Sequence, residues 1–165
     1  MALAPAITAL EQLKGHPAVA RLLGWNPAAV TGAKFDRDEM TIYIDAPHIR
    51  EACGLLRDSP DCAFNYLSDV TCVDWYPAEP RFEVIYHLLS ISHKERLRLK
   101  VRLDSASPVV ESLTPVWPGA NYFEREVFDL FGIRFAGHPY LLRILMPEDW
   151  EGHPLRKDYP VEGYR

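Results

Sequence analysis

The last 29 residues of the chain, 137–165, combine helix-breaking residues with large apolar ones, and we call this segment the tail. Four prolines and three glycines interrupt it, so neither a long helix nor a central strand fits there. Disordered segments are poor in large apolar side chains, but the tail carries Leu141, Leu142, Ile144, Leu145, Met146 and Trp150. Fully extended, it would reach about 90 Å. We therefore expect the tail either to wrap around another protein or to fold back over its own sheet, and the pattern leaves both open.

The residues before the tail predict an α+β fold, in which a small mixed or antiparallel sheet carries helices on one face and is followed by the extended, Pro-rich tail. Apolar spacing of three and four residues indicates helices, and alternation indicates strands. The predicted elements are two short helices within 5–24, a strand at 40–45, a helix at 47–56 and strands at 63–76, 81–92 and 95–103. We divide the chain into an α+β domain (1–104), a Pro-rich bridge with a helix (105–136) and the tail (137–165).

The strand predicted at 95–103 has one apolar and one basic face. Leucines and valine alternate with a basic row of Lys94, Arg96, Arg98, Lys100 and Arg102. Such a row has two interpretations. It is typical of an ordinary polar face, or of an edge strand whose like charges prevent aggregation. It is also typical of a surface that binds an acidic partner. The chain as a whole has a net charge of −5, which argues against a general nucleic-acid binder.

A second helix pattern lies at 120–131, after the Pro-rich bridge. Phe123, Val127, Leu130 and Phe131 form one apolar stripe. Asn121 is the expected N-cap and Gly132 the expected C-cap. Arg125 and Asp129 are four residues apart and are expected to pair. The charged run Glu124, Arg125 and Glu126 is typical either of a solvated face or of ion pairs at an interface.

The sequence offers little for independent catalysis or metal binding. Cys53, Cys62 and Cys72 lack the paired spacing of a zinc or iron–sulfur site, so we expect small buried thiols. No phosphate-binding glycine loop or serine-nucleophile motif is present. His138 and His153, with Asp149 or Asp158, resemble an acid–base set, but a Pro-rich tail alone provides no rigid pocket.

The run from residue 123 to 160 carries a more specific signal. The segments EREVFDLFGIRF (124–135), GHP (137–139), RIL (143–145) and EDWEGHPLRKDYP (148–160) closely resemble the signature of the NuoC-type, or 30-kilodalton, subunit family of NADH:quinone oxidoreductase, respiratory complex I. The chain departs from that family at Tyr122, Tyr140 and Leu142, where Trp, Asp and Arg are frequent. The last two departures affect which polar contacts the segment around residues 138–143 can make.

The resemblance implies an accessory, non-catalytic scaffold subunit in the peripheral arm of the complex, on the cytoplasmic side of the inner membrane. Such a subunit binds no cofactor itself, while the complex carries electrons from NADH through FMN and iron–sulfur clusters to quinone. Its partners would be the large quinone-site subunit, clamped by the tail, and the cluster-bearing subunits. The alternative is the equivalent subunit of a membrane-bound nickel–iron hydrogenase-like or photosynthetic NDH complex.

The resemblance also implies which residues bind those partners. Arg143, Arg156 and Lys157 are expected to pair with partner carboxylates or carbonyls. The full set of expected partner-binding residues is Glu124, Arg125, Glu126, Asp129, His138, Arg143, Trp150, His153, Arg156, Lys157 and Asp158.

Overall fold

The computed structural model describes residues 5–163, so the ends of the first and last predicted regions (residues 1–4 and 164–165) lie outside it. The helices are α1 (Leu10–Leu13), α2 (Pro17–Trp25), α3 (Ile49–Asp58) and α4 (Ala120–Phe131). The strands are β1 (Val30–Asp36), β2 (Glu39–Ile44), β3 (Tyr66–Asp74), β4 (Phe82–Ser90), β5 (Glu95–Leu103), β6 (Val109–Glu111) and β7 (Arg134–Ala136). The predicted α+β class is confirmed.

Five strands form one mixed sheet in the order β1-β2-β5-β4-β3. Strand β2 runs parallel to β5, and the other neighbours are antiparallel. The interpretation of the basic row as edge protection is wrong, because β5 is the central strand. Three members of the row instead pair with carboxylates on neighbouring strands: Arg98 with Glu39, and Lys100 and Arg102 with Glu83.

Strand β1 was not predicted. Its sequence, VTGAKFD, alternates weakly and contains a glycine, so the pattern gave no strand signal. It forms a hairpin with β2 through Arg37 and Asp38, whose φ angles are 53° and 62°. Two successive residues with positive φ suit the twist of a tight antiparallel hairpin.

One hydrophobic core joins the helices to one face of the sheet. It contains alternate residues of β5, such as Leu97 and Leu99, together with residues of α2, α3 and α4. Side chains from the predicted bridge, including Leu113 and Trp117, belong to the same core. The core therefore runs across the boundary drawn at residue 104, and the three-part division stays a prediction.

The three cysteines are buried and free, as the sequence predicted for small core thiols. Burial raises the pKa of Cys72 to about 12 and that of Cys62 to about 11, since a thiolate is poorly solvated in an apolar core. Across residues 5–163, no helix is both long enough and apolar enough to span a membrane.

Candidate functional site

Helix α4 is the element on which the tail rests. Its apolar stripe packs inward, with Val127 and Phe131 buried in the core. The helix begins at Ala120, so the prediction of Asn121 as the N-cap is wrong; Gly119 holds that position without a side-chain hydrogen bond. Gly132 ends the helix with a φ of 75°, which confirms the predicted glycine C-cap.

Glu124 lies fully buried beneath α4, so a solvated face is the wrong interpretation for this residue. Its carboxylate accepts hydrogen bonds from Ser112 Oγ and from the Leu113 backbone N–H, each at 2.6 Å. Burial raises the pKa of Glu124 to about 7, although these two bonds and the charge of Arg50 oppose the shift. Glu126, by contrast, is exposed.

Asp129 is the centre of the contacts between α4 and the tail. It is fully buried, and its Oδ1 accepts a hydrogen bond from Arg143 Nη1 at 2.7 Å. Its Oδ2 accepts from three successive backbone N–H groups, those of Ile144, Leu145 and Met146, at 2.8 to 3.0 Å. Burial alone would raise the pKa of Asp129, but these hydrogen bonds outweigh it and lower the pKa below its usual value. One carboxylate thus fixes four donors of the tail.

The tail also caps the C-terminus of α4. The last four carbonyls of a helix have no partner within the helix and carry its negative dipole end. Here the carbonyls of residues 128–131 accept hydrogen bonds from Gly132 N, His153 Nδ1, Leu155 N and Arg156 Nε, in that order. Arg143 Nη1 also reaches the Asp129 carbonyl, at 3.3 Å. Two guanidinium groups therefore lie at the negative end of the helix.

The start of the tail is held by two other predicted residues. Arg125 donates to the carbonyls of Leu142 and Arg143, both at 3.0 Å, so the expected pair between Arg125 and Asp129 is wrong. His138 accepts from the Tyr140 N–H at Nδ1 and donates from Nε2 to a carbonyl of α4. Burial lowers the pKa of His138, which favours the neutral ring, and the two partners select this tautomer.

The far part of the tail is tied to the turn between β3 and β4. Arg81 donates to both carboxylate oxygens of Asp74 and to both oxygens of Asp158, at 2.6 to 2.9 Å. The Lys157 N–H donates to Asp74 at 2.8 Å. Burial disfavours the Asp74 carboxylate, but the bonds from Arg81, Lys157 and Tyr76 prevail and lower its pKa to about 2. Asp74 and Arg81 were not singled out from the sequence, since 77 residues separate Arg81 from Asp158.

Most of the predicted site residues fall into three places. Asp129, Arg143, His153 and Arg156 meet at the end of α4, where the Trp150 carbonyl accepts a hydrogen bond from Arg143. Arg125 and His138 hold the start of the tail, and Lys157 and Asp158 hold its far part. Glu124 and Glu126 lie outside these three places. The rings of His138 and His153 form hydrogen bonds with backbone carbonyls and not with Asp149 or Asp158, the partners of the acid–base set considered from the sequence. Within residues 5–163 no group of three or more His, Cys, Asp or Glu is arranged to hold a metal ion.

Most large apolar side chains of the tail are exposed to solvent, although Leu141 packs against the core. Fourteen large hydrophobic residues are exposed in the described chain, and seven of them lie in the tail: Tyr140, Leu142, Ile144, Leu145, Trp150, Leu155 and Val161. We call these seven residues the outer apolar face. In the tail, polar groups bind α4 and the β3–β4 turn while most of the large apolar side chains meet water.

Comparisons with known proteins agree with the resemblance seen in the sequence. Residues 42–165 match the family described as respiratory-chain NADH dehydrogenase, 30 Kd subunit. The chain is 52% identical over 141 residues to the C subunit of NADH-quinone oxidoreductase from Roseiflexus sp. (strain RS-1), covering 86% of this chain and 81% of that one. It is 45% identical over 161 residues to the same subunit from Acidithiobacillus ferrooxidans, covering 94% and 77%.

Two solved structures have a similar fold. A trypsin-resistant fragment of Nqo5 (residues 1-134) is 29% identical with a TM-score of 0.54, covering 62% of this chain and 83% of the fragment. A chain of the membrane-bound sulfane sulfur reductase, an archaeal respiratory membrane complex, is 26% identical with a TM-score of 0.73. That match covers 90% of this chain and 86% of the archaeal one.

Proposed function

Because the chain belongs to the 30-kilodalton subunit family of respiratory-chain NADH dehydrogenase, we propose that it joins other subunits of NADH-quinone oxidoreductase and carries no redox centre itself. The tail is the proposed means of attachment. Electron transfer from NADH through FMN and iron–sulfur clusters to quinone then belongs to the other subunits. We place the chain in the peripheral arm, on the cytoplasmic side of the inner membrane.

The outer apolar face is the observation that supports this role. Seven exposed apolar side chains within 27 described residues form an unusual concentration on a water-facing surface. Burying one Leu, Ile or Phe-sized side chain at an interface contributes about 1.5–3 kcal/mol. Several such side chains on one segment are sufficient for stable association, provided that the cost of ordering the segment is small.

The inward polar contacts reduce that cost. Arg143, Arg156 and Asp158 use their side chains to fix the tail against the rest of the chain. A segment that is already ordered loses little conformational entropy when a partner binds. We therefore assign Arg143 and Arg156 an indirect role, in which they present the outer apolar face and do not themselves need to reach partner carboxylates.

Of the candidate complexes, NADH-quinone oxidoreductase is the best supported. Curated relatives that share about half of their aligned residues with this chain are named as the C subunit of NADH-quinone oxidoreductase. These relatives do not favour the hydrogenase-like or photosynthetic alternatives. The large quinone-site subunit and the cluster-bearing subunits remain the proposed partners.

The test compares two substitutions of equally exposed residues in cells that lack the native subunit. Leu145 in the tail and Ile91 in the β4–β5 turn are both 60% exposed. We expect Leu145→Glu to lower the amount of assembled complex on native gels about tenfold or more, because the glutamate must be desolvated at the interface. Ile91→Glu should leave assembly unchanged.

The rate of NADH oxidation by quinone, divided by the amount of assembled complex, completes the experiment. Attachment predicts that this turnover is equal in wild type and both variants. Normal assembly of Leu145→Glu with reduced turnover would contradict the proposal, because the tail would then act in the reaction and not in attachment.

A further inference from the structure

A groove separates the end of β3 and its following turn from the tail. It has a volume of about 530 Å³. Its walls include Val73, Trp75, Tyr76, Phe131, Leu155 and Lys157. This volume lies within the range of pockets that hold ligands in proteins, about 300–1,000 Å³. The groove lies beside the outer apolar face and shares Leu155 with it.

The rim of the groove is aromatic and open to solvent. Trp75, Tyr76 and Leu155 are 45%, 52% and 50% exposed. Tryptophan and tyrosine are the side chains most enriched among residues that dominate binding energy at protein interfaces. The Trp75 ring is held in place by Arg102, whose guanidinium lies 5.2 Å from the ring centroid. The rim is therefore a half-exposed aromatic surface, with Arg102 against the Trp75 ring and Arg81 against the Tyr76 ring.

One basic residue that lines the groove has no ion pair. The nearby carboxylates of Asp74 and Asp158 are both occupied by Arg81, which binds each of them with two hydrogen bonds. Lys157 lines the groove, is exposed, and is fixed through its backbone N–H to Asp74, and its side chain forms no ion pair with any residue in 5–163. The groove thus offers one lysine without an ion pair, close to aromatic side chains.

We propose that this groove holds a segment of a neighbouring subunit that places an apolar side chain between Trp75, Tyr76 and Leu155 and an Asp or Glu carboxylate on Lys157. The inference rests on the proposed attachment function and specifies the chemistry of the partner. A protein carboxylate fits better than a phosphate group, because phosphate sites use several donors and the groove supplies one cation.

The experiment is zero-length carbodiimide cross-linking of the purified, intact complex, which joins an amine to a carboxylate only when the two are in contact. We expect an amide bond between Lys157 and an Asp or Glu of another subunit, identified by mass spectrometry, with an apolar residue within a few positions of that acid. Lys94, an exposed residue of the β4–β5 turn whose side chain also has no ion pair in residues 5–163, is the matched control and should form no cross-link. Lys157→Arg keeps the charge but should abolish the cross-link.

Acetylation of lysines by a water-soluble reagent gives a second readout. In the complex, Lys157 should be modified about tenfold more slowly than in the isolated chain, because an occupied groove shields it. Lys94 should react equally in both. Equal reactivity of Lys157 in the complex and the isolated chain, without a cross-link, would overturn the proposal.

The same experiments separate this proposal from the attachment function. Leu145→Glu tests attachment at a residue outside the groove. If that variant fails to assemble while Lys157 stays reactive in wild-type complex, attachment stands and the groove proposal is wrong. If Leu145→Glu assembles normally and Lys157 is reactive, both are wrong.

Discussion

Replacement of Asp129 by asparagine is expected to release the tail from α4. In the native chain, one carboxylate oxygen binds Arg143 and the other binds three backbone N–H groups. An asparagine amide can present its oxygen to only one of these sets, so its NH₂ group must face donors on the other side. Either Arg143 then keeps only backbone carbonyls as partners and loses its carboxylate, or three N–H groups lose their acceptor.

The cost follows from burial. Breaking a buried ion pair by changing one partner typically costs about 3–5 kcal/mol, because the remaining charge stays desolvated. Asp129 is fully buried and Arg143 is largely so. Each 1.4 kcal/mol changes an equilibrium tenfold, so the open form of the tail should become at least about a hundred times more populated.

Trypsin under native conditions measures that population, since the enzyme cuts only the opened chain. The tail contains Arg143, Arg156 and Lys157 as cleavage sites. We expect Asp129→Asn to be cut there at least about a hundredfold faster than wild type if opening is rapid relative to cleavage. Glu126→Gln, an exposed acidic residue on the same helix, is the control and should match wild type. Cleavage of Asp129→Asn at the control rate would refute the assignment of Asp129 as the anchor of the tail.

Two further predictions concern α4. In Glu124→Gln, the amide can accept from the Leu113 N–H and donate to Ser112 Oγ. At pH 8 the free energy of unfolding of the variant, measured in urea, should exceed that of wild type by about 3 kcal/mol. Folding raises the pKa of the native carboxyl from 4.5 to about 7, so the wild-type protein loses stability as the pH rises through that interval. The gain should vanish at pH 4, and a gain independent of pH would contradict the cause given. Gly132→Ala should cost more than about 2 kcal/mol, measured by urea unfolding, since φ is positive and a Cβ atom would lie 2.5 Å from Cδ2 of the His153 ring as well as from Arg156 Nη2. Gly119→Ala, at the other end of α4 with open space around it, should change stability little.

The strands with clean alternation were the most predictable part of the fold. The segment 95–103 corresponds to β5 at both ends, because every second residue is apolar and buried. The segment predicted at 63–76 is longer than β3, since Ala63 has a φ of 45° and the chain pairs only from Tyr66 onward. Strand β1 escaped prediction because Gly32 and Lys34 interrupt its apolar pattern.

The polar residues of the site were found by resemblance, but their environment was not predictable from periodicity. Glu124 and Asp129 lie off the apolar stripe of α4 and yet are fully buried. Their partners come from segments 11 to 17 residues away in the chain, and local patterns do not report such contacts. Arg81 shows the same limit, because its second carboxylate partner, Asp158, is contributed by the far part of the tail.

Protection of the outer apolar face in the assembled complex is the most direct test of the attachment function. The native thiols Cys53, Cys62 and Cys72 are buried, so a cysteine introduced at Leu145 or at Ile91 provides the reactive surface thiol. A water-soluble maleimide should label Leu145→Cys rapidly in the isolated chain and at least about tenfold more slowly in the complex, while Ile91→Cys reacts equally in both. Equal labelling of Leu145→Cys in the isolated chain and in the complex would show that another subunit does not cover this face, and would contradict the account.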